Sequence, residues 1–196
     1  MPGTGRPQSI GVAGIRSNQG ATRMCVQMGV CFAKAFHERP ELLEMNKSGD
    51  YARLQEALDG VVKNREFEYQ NIRFCQSVLK GEYGKVRGRN RYPSIMDFGG
   101  ICEEMEEEWL RCDKKIVLAS GMEWELWRLE KMVERFRNIP DFKQWIFLFP
   151  SLSGEEKKAL QKQFGIHAGK LPLFTDPFEP EREMVEFIRN DLEGGG

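Results

Sequence analysis

Short apolar runs alternate with longer amphipathic stretches along almost the whole of this sequence, and that alternation leaves few architectures open. The runs at 9–14, 42–46, 66–74, 94–100, 114–119, 144–149 and 170–174 read as strands, several of them closing on glycine or proline. Between them, 22–36, 51–58, 103–111, 123–136, 153–164 and 181–192 place apolar residues at helical spacing. The helix at 153–164 opens on a capping box, Ser153 with Glu156 three residues on. The 66–74 run is expected at a sheet edge or in a hairpin. Strands joined through helices of this length pair in parallel, because a parallel crossover needs about a dozen residues. The reading is an α/β protein: a three-layer, doubly wound, mainly parallel sheet in one domain over 1–193, with 194–196 a frayed tail or a remnant of expression. Ligands of such sheets bind beyond the carboxyl ends of the strands.

Composition removes several function classes. The chain carries 29 Lys+Arg against 30 Asp+Glu, a net charge of −1. That balance argues against a nucleic-acid coat protein or a polybasic membrane anchor. No run approaches the roughly 20 apolar residues of a membrane span, and the first residues lack the apolar stretch of a secretory signal. A cytoplasmic location is expected. The five cysteines, Cys25, Cys31, Cys75, Cys102 and Cys112, are odd in number and form no C-x-x-C pair. With His37 and His167 as the two histidines, they read as reduced, mostly buried thiols rather than a disulfide framework or a metal site.

The segment Gly14-Ile15-Arg16-Ser17-Asn18-Gln19-Gly20-Ala21-Thr22 follows the first strand and opens the first helix. Amides of a glycine-bearing turn, with the positive end of a helix behind them, form an anion site. A complete P-loop, G-x-x-x-x-G-K-[ST], also needs a lysine between the glycine and the hydroxyl residue; here that place is Ala21. A glycine turn between strand and helix is common in α/β folds, so the loop alone does not specify a ligand. Two further segments point to the same rim. Leu43-Glu44-Met45-Asn46 ends the second strand on polar groups, and Ile95-Met96-Asp97-Phe98-Gly99-Gly100 has the apolar-strand, Asp, then D-x-x-G form that holds a magnesium-bound water and senses a γ-phosphate.

In this order the segments resemble the MinD/ParA group of P-loop ATPases, whose Walker A motif is deviant, and in particular its divergent CpaE-like bacterial relatives. The resemblance runs over nearly the whole chain as element order. The family loop has the form K-G-G-x-G-K-T-T. Aligned on Gly20 and Thr22, it puts Arg16 at the signature lysine and Ala21 at the Walker lysine. The resemblance implies ATP and Mg2+ as cofactors, Thr22 and Asp97 on the metal, and Asp97 and Arg16 in the catalytic roles. Around the nucleotide it implies Gly14, Arg16, Ser17, Asn18, Gln19, Gly20, Ala21, Thr22, Arg23, Asn46, Gly99, Pro172 and Asp176. Glu44 and Asn46 stand where the family keeps a water-activating Asp. The 171–177 segment resembles its proline-bearing loop beside the adenine, while Phe149-Pro150-Ser151 occupies the stretch of its adenine-reading Asn.

Exchanging the Walker lysine for Ala21 removes a cation from the phosphate oxygens, a loss of roughly 1.5–3 kcal/mol for a hydrogen bond to a charged group. The backbone cradle survives that exchange. The function expected is ATP binding with weak or absent hydrolysis, at most a weak ATPase, acting as a positioning or regulatory switch toward a protein partner or a second copy of itself. The alternative is a pseudo-ATPase scaffold that binds no nucleotide. Elsewhere, the basic stretch Lys85, Arg87, Arg89, Arg91 with Tyr92 reads as a solvated hairpin tip before it reads as a nucleic-acid contact. The acidic run at 103–108 reads as a solvated helix face. Trp109, Trp124, Trp127 and Trp145 read as core or interface anchors. The last helix is amphipathic but too poor in basic residues to bind a membrane surface.

Overall fold

The computed structural model describes residues 9–82 and 93–193. Eight strands, β1 (Ser9–Gly14), β2 (Glu41–Glu44), β3 (Glu66–Tyr69), β4 (Ile72–Cys75), β5 (Ser94–Gly100), β6 (Lys114–Leu118), β7 (Ile146–Phe149) and β8 (His167–Lys170), form one sheet in the order β3-β4-β2-β5-β1-β6-β7-β8. Every neighbouring pair is parallel except β3 with β4. The helices are α1 (Ala21–Val30), α2 (Asp50–Asp59), α3 (Glu106–Leu110), α4 (Leu126–Phe136), α5 (Gly154–Phe164) and α6 (Arg182–Phe187). The doubly wound sheet expected from the alternation is the one observed. The basic stretch with Lys85, Arg87, Arg89, Arg91 and Tyr92 lies outside the described residues, as do 1–8 and 194–196.

Successive side chains of a strand face opposite ways, so a strand buried on both faces must be apolar throughout. That is the pattern here. Ile116, Leu118, Ile146 and Leu148 join the core under α1 and α6, whereas Val117, Ala119, Phe147 and Phe149 join the core on the other face with Trp109, Leu129 and Leu160. Two of the four tryptophans are core residues. Trp109 and Trp145 are almost fully buried, while Trp124 and Trp127 on the α4 segment are exposed. Of the cysteines Cys102 is exposed, while Cys25, Cys31, Cys75 and Cys112 are buried. Among the described residues no group of His, Cys, Asp and Glu suited to hold a metal ion is found, and no helix is long and apolar enough to cross a membrane.

Two expectations change at the edges of the sheet. The 66–74 run is two strands: Gln70 and Asn71, with φ of 49° and 66°, turn the chain back so that β3 pairs antiparallel with β4. Paired positive φ values are what a two-residue hairpin turn demands, and Asn tolerates them. The last strand sits at 167–170 rather than 170–174. Its partner β7 stops at Phe149, before Pro150; the Leu171 amide still donates to the Phe149 carbonyl at 2.8 Å, and the ladder ends there. Pro172, which lacks an N–H, could not have extended it. The capping box forms as expected: Ser153 Oγ accepts from the Glu156 amide at 3.2 Å, and Glu156 Oε2 accepts from the Ser153 amide at 2.7 Å.

Candidate functional site

From β1 the chain leaves through α1 toward β2 on one side of the sheet, whereas from β5 it crosses through α3 to β6 on the other. Such a reversal opens a crevice at the carboxyl ends of the two strands. A cleft of about 1380 Å³ lies there, lined by the start of α1, the β2–α2 turn, residues 77–80 and the end of β5.

The loop from β1 into α1 is held tightly at its base. A Cβ on Gly14 would lie 2.4 Å from the Arg16 carbonyl oxygen, and one on Gly100 would lie 3.1 Å from the Ser17 amide nitrogen, so β5 and the loop meet backbone to backbone. Asn18 adopts the left-handed region at φ 63°, a conformation that Asn accepts more readily than most residues. Gly20 caps α1 at φ 90° and offers no side chain to the helix. A Ser or Asp there would have satisfied one of the first amides itself. Among the described residues, the amides of Gly20, Ala21, Thr22 and Arg23 therefore have no protein acceptor, and they sit on the rim of the cleft. The Arg16 amide differs, donating to Gln19 Oε1 at 3.1 Å.

Behind that rim stands Asp97, fully buried. A register shift between β1 and β5 at Val12/Ala13 leaves Phe98 without a partner on β1, and Gly99 takes a positive φ of 62°. Asp97 Oδ1 accepts from the Gly99 amide at 2.9 Å, while Oδ2 has no partner. Burial pushes its carboxyl up to about 6; the hydrogen bond from the Gly99 amide offsets part of this, and the nearby Glu44 and Asp50 carboxylates add to it. The Thr22 hydroxyl donates to Asp50 Oδ2 at 3.1 Å. Thr22, Asp50 and Asp97 thus form one group where α1, α2 and β5 converge.

Asn46 lines the cleft and braces it, donating from Nδ2 to the Asp97 carbonyl at 3.0 Å and accepting from the Ser48 amide at 2.8 Å. Glu44 has a different task. Fully buried, it accepts from Ser48, the Tyr51 amide and Ser77, and so fastens the β2–α2 turn to the segment after β4. Lys47 and Glu104 pair at 2.9 Å across the mouth, from two different walls of the cleft. Asp50 and Lys47 belong to the site, yet nothing local distinguishes them: an acid in the first turn of a helix and a lysine in a turn are ordinary surface features.

Other expected site residues lie apart or direct their side chains elsewhere. Arg16 turns away from the cleft and pairs with Glu125 at 2.7 Å. Arg23 lines the cleft at the start of α1, but its guanidinium is committed elsewhere, donating to the Phe174 and Thr175 carbonyls at 2.9 and 2.8 Å and lying 4.8 Å from the Phe174 ring. Asp176 accepts from the Phe178 amide, and Pro172 is buried; neither lines the cleft. Of the residues expected at the phosphates, Ser17, Asn18, Gly20, Ala21, Thr22, Arg23, Asn46 and Gly99 line the cleft, whereas Gly14, Arg16 and Gln19 do not, and neither do Pro172 and Asp176, expected at the base.

The architecture has close counterparts. A plasmid partition protein from Borrelia burgdorferi superposes with a TM-score of 0.64 over 95% of this chain and 99% of its own, at 11% identity. MinD from Aquifex aeolicus gives 0.61 over 94% and 86%, at 12% identity. A ParA family ATPase from Chlorobium tepidum gives 0.60 over 98% and 96%, at 9% identity. The chain has the ParA/MinD fold. No family model and no curated protein matches the sequence, so the likeness is one of backbone architecture.

Proposed function

We propose that the cleft binds a magnesium nucleoside triphosphate, ATP by the family resemblance, and that occupancy rather than rapid turnover is the protein's output. The observation that carries this reading is the pairing of four open amides at the start of α1 with a buried, unpartnered Asp97 oxygen behind them. Phosphates would lie against the amides of residues 20–23. Thr22 and Asp97 would hold the metal, which supplies charge neutralisation on the phosphate oxygens. A cation there would also offset the cost of the ionised Asp97 carboxylate among Glu44 and Asp50. Solved structures of this fold support the assignment by analogy: a Borrelia plasmid partition protein is bound to AMPPNP, and a Pyrococcus horikoshii MinD is complexed with Mg-ADP.

Weak hydrolysis follows from what the residues lack. Ala21 brings no charge to the phosphates, and Arg16 is held by Glu125. Restoring the lysine gives the test. Ala21→Lys should tighten Mg-ATP binding by roughly tenfold to a hundredfold, measured by calorimetric titration, as a new charged hydrogen bond of about 1.5–3 kcal/mol implies. No heat with either protein at millimolar nucleotide would overturn the reading. The scaffold alternative draws on Gln19, whose side chain already occupies one loop amide. It requires both titrations to be silent. The role that follows is a positioning or regulatory switch read by a protein partner or a second copy, as MinD of Aquifex aeolicus is found in complex with MinC.

A further inference from the structure

On the opposite side of the β1 end from the nucleotide cleft, a second hollow of about 190 Å³ lies between that strand end and α4. Its floor is apolar, formed by Ile15, Ile101, Met132 and Phe136, and its rim carries Trp127, Arg128, Lys131 and Arg135. A cavity of about 150 Å³ accommodates a benzene ring, so this one has room for one phenyl or branched aliphatic side chain. On its rim Trp127 is 46% exposed, and in the segment that leads into α4 Met122 is 54% and Trp124 72% exposed. Large aromatic side chains left in water beside a hollow mark a binding surface rather than a solvated face.

The charges around the hollow are uneven. Arg135 pairs with Glu106, and Arg16 pairs with Glu125, which also lies in the field of Arg128. Among the described residues Arg128 and Lys131 form no ion pair. Both sit over the Trp127 ring instead, at 4.4 and 4.8 Å from its centre. An aromatic face attracts cations and limits where they point. Two cations in surplus are therefore held at the lip of an apolar hollow.

We propose that this α4 face docks an acidic protein segment that inserts one bulky apolar side chain into the hollow while flanking carboxylates meet Arg128 and Lys131. The occupant is chosen by charge complementarity: a basic or neutral segment would leave both cations without a counter-charge. The inference stands apart from nucleotide binding, and its test uses nucleotide-free protein.

The probe is a short peptide of aspartates and glutamates around a central phenylalanine, followed by tryptophan fluorescence at low salt. A saturable change is expected, weakening as salt is raised. The response should weaken roughly tenfold or more in Arg128→Glu/Lys131→Glu, and also when the central phenylalanine is replaced by alanine. These substitutions lie on an exposed face, and unchanged circular dichroism verifies folding; Trp127→Phe, which keeps the ring, should retain binding. No saturable response, an equal response to a lysine-flanked peptide, or full binding by the charge-reversed variant would overturn the proposal. So would preferential uptake of a single-stranded oligonucleotide, or a doubling of mass by light scattering that the charge reversal abolishes, since these assign the face to nucleic acid or to a second copy.

Discussion

Replacing Trp109 by alanine is expected to destabilise the protein by about 3–5 kcal/mol, the range for removing a large aromatic side chain from a core. At this chain length the melting temperature should fall by roughly 10 °C or more. The side chain has no exposed surface, and it meets Phe98 and Trp145 edge-on with ring centres 5.3 and 5.4 Å apart. It also fills the space above Gly11, where a Cβ would lie 3.0 Å from the indole. Few neighbours can move into such a void, because Gly11 belongs to a central strand paired on both sides. Trp109→Phe should cost much less. Its ring keeps much of the packing, and the exchange deletes an indole N–H that is buried without an acceptor. Thermal melts of the two variants check this, and equal losses would contradict it. The consequence reaches the cleft, because Phe98 lines it and follows Asp97 directly.

Asp97→Asn should move stability the other way. The native carboxyl is raised from 3.8 to about 6, chiefly by burial. Between those values the folded protein binds more protons than the unfolded chain, so stability falls as pH rises from about 4 through 6 and stays at its lower level above. The difference corresponds to about 3 kcal/mol at neutral pH. The amide removes that penalty while its oxygen still accepts from the Gly99 amide. At pH 7.5 the nucleotide-free variant should melt roughly 6–12 °C above the parent, and the gain should vanish below pH 4. If the proposed function holds, the same change should abolish stabilisation by Mg-ATP, since the substituted amide would offer a metal no anionic oxygen. A variant that is no more stable at pH 7.5 would show that Asp97 is already neutral or well solvated there.

How far the sequence speaks for itself depends on whether a feature is fixed locally. The strand at 9–14, the glycine loop and α1 are legible because their apolar period and glycines lie within one stretch of chain. The Ser153 and Glu156 box is legible for the same reason. The end of β8 is not, since it is set by where β7 stops. Tertiary partners are harder still. Nothing near Arg16 announces Glu125, which lies 109 positions along the chain. Nothing near Thr22 announces Asp50, and the ties between Arg23 and the 174–175 carbonyls depend on how α1 meets a distant segment. Trp124 and Trp127 have the spacing of core residues on a helix, and only the tertiary fold shows them turned to solvent.

Nucleotide binding in this cleft requires that the amides at the start of α1 receive an anion. Backbone amide NMR of the labelled protein, titrated with Mg-ATP, reads those groups one by one. The signals of Gly20, Ala21, Thr22 and Arg23 should shift together and saturate, with Gly99 following as Asp97 takes up the metal. If these amides stay fixed at millimolar Mg-ATP, phosphate is not held there and the proposed function is wrong.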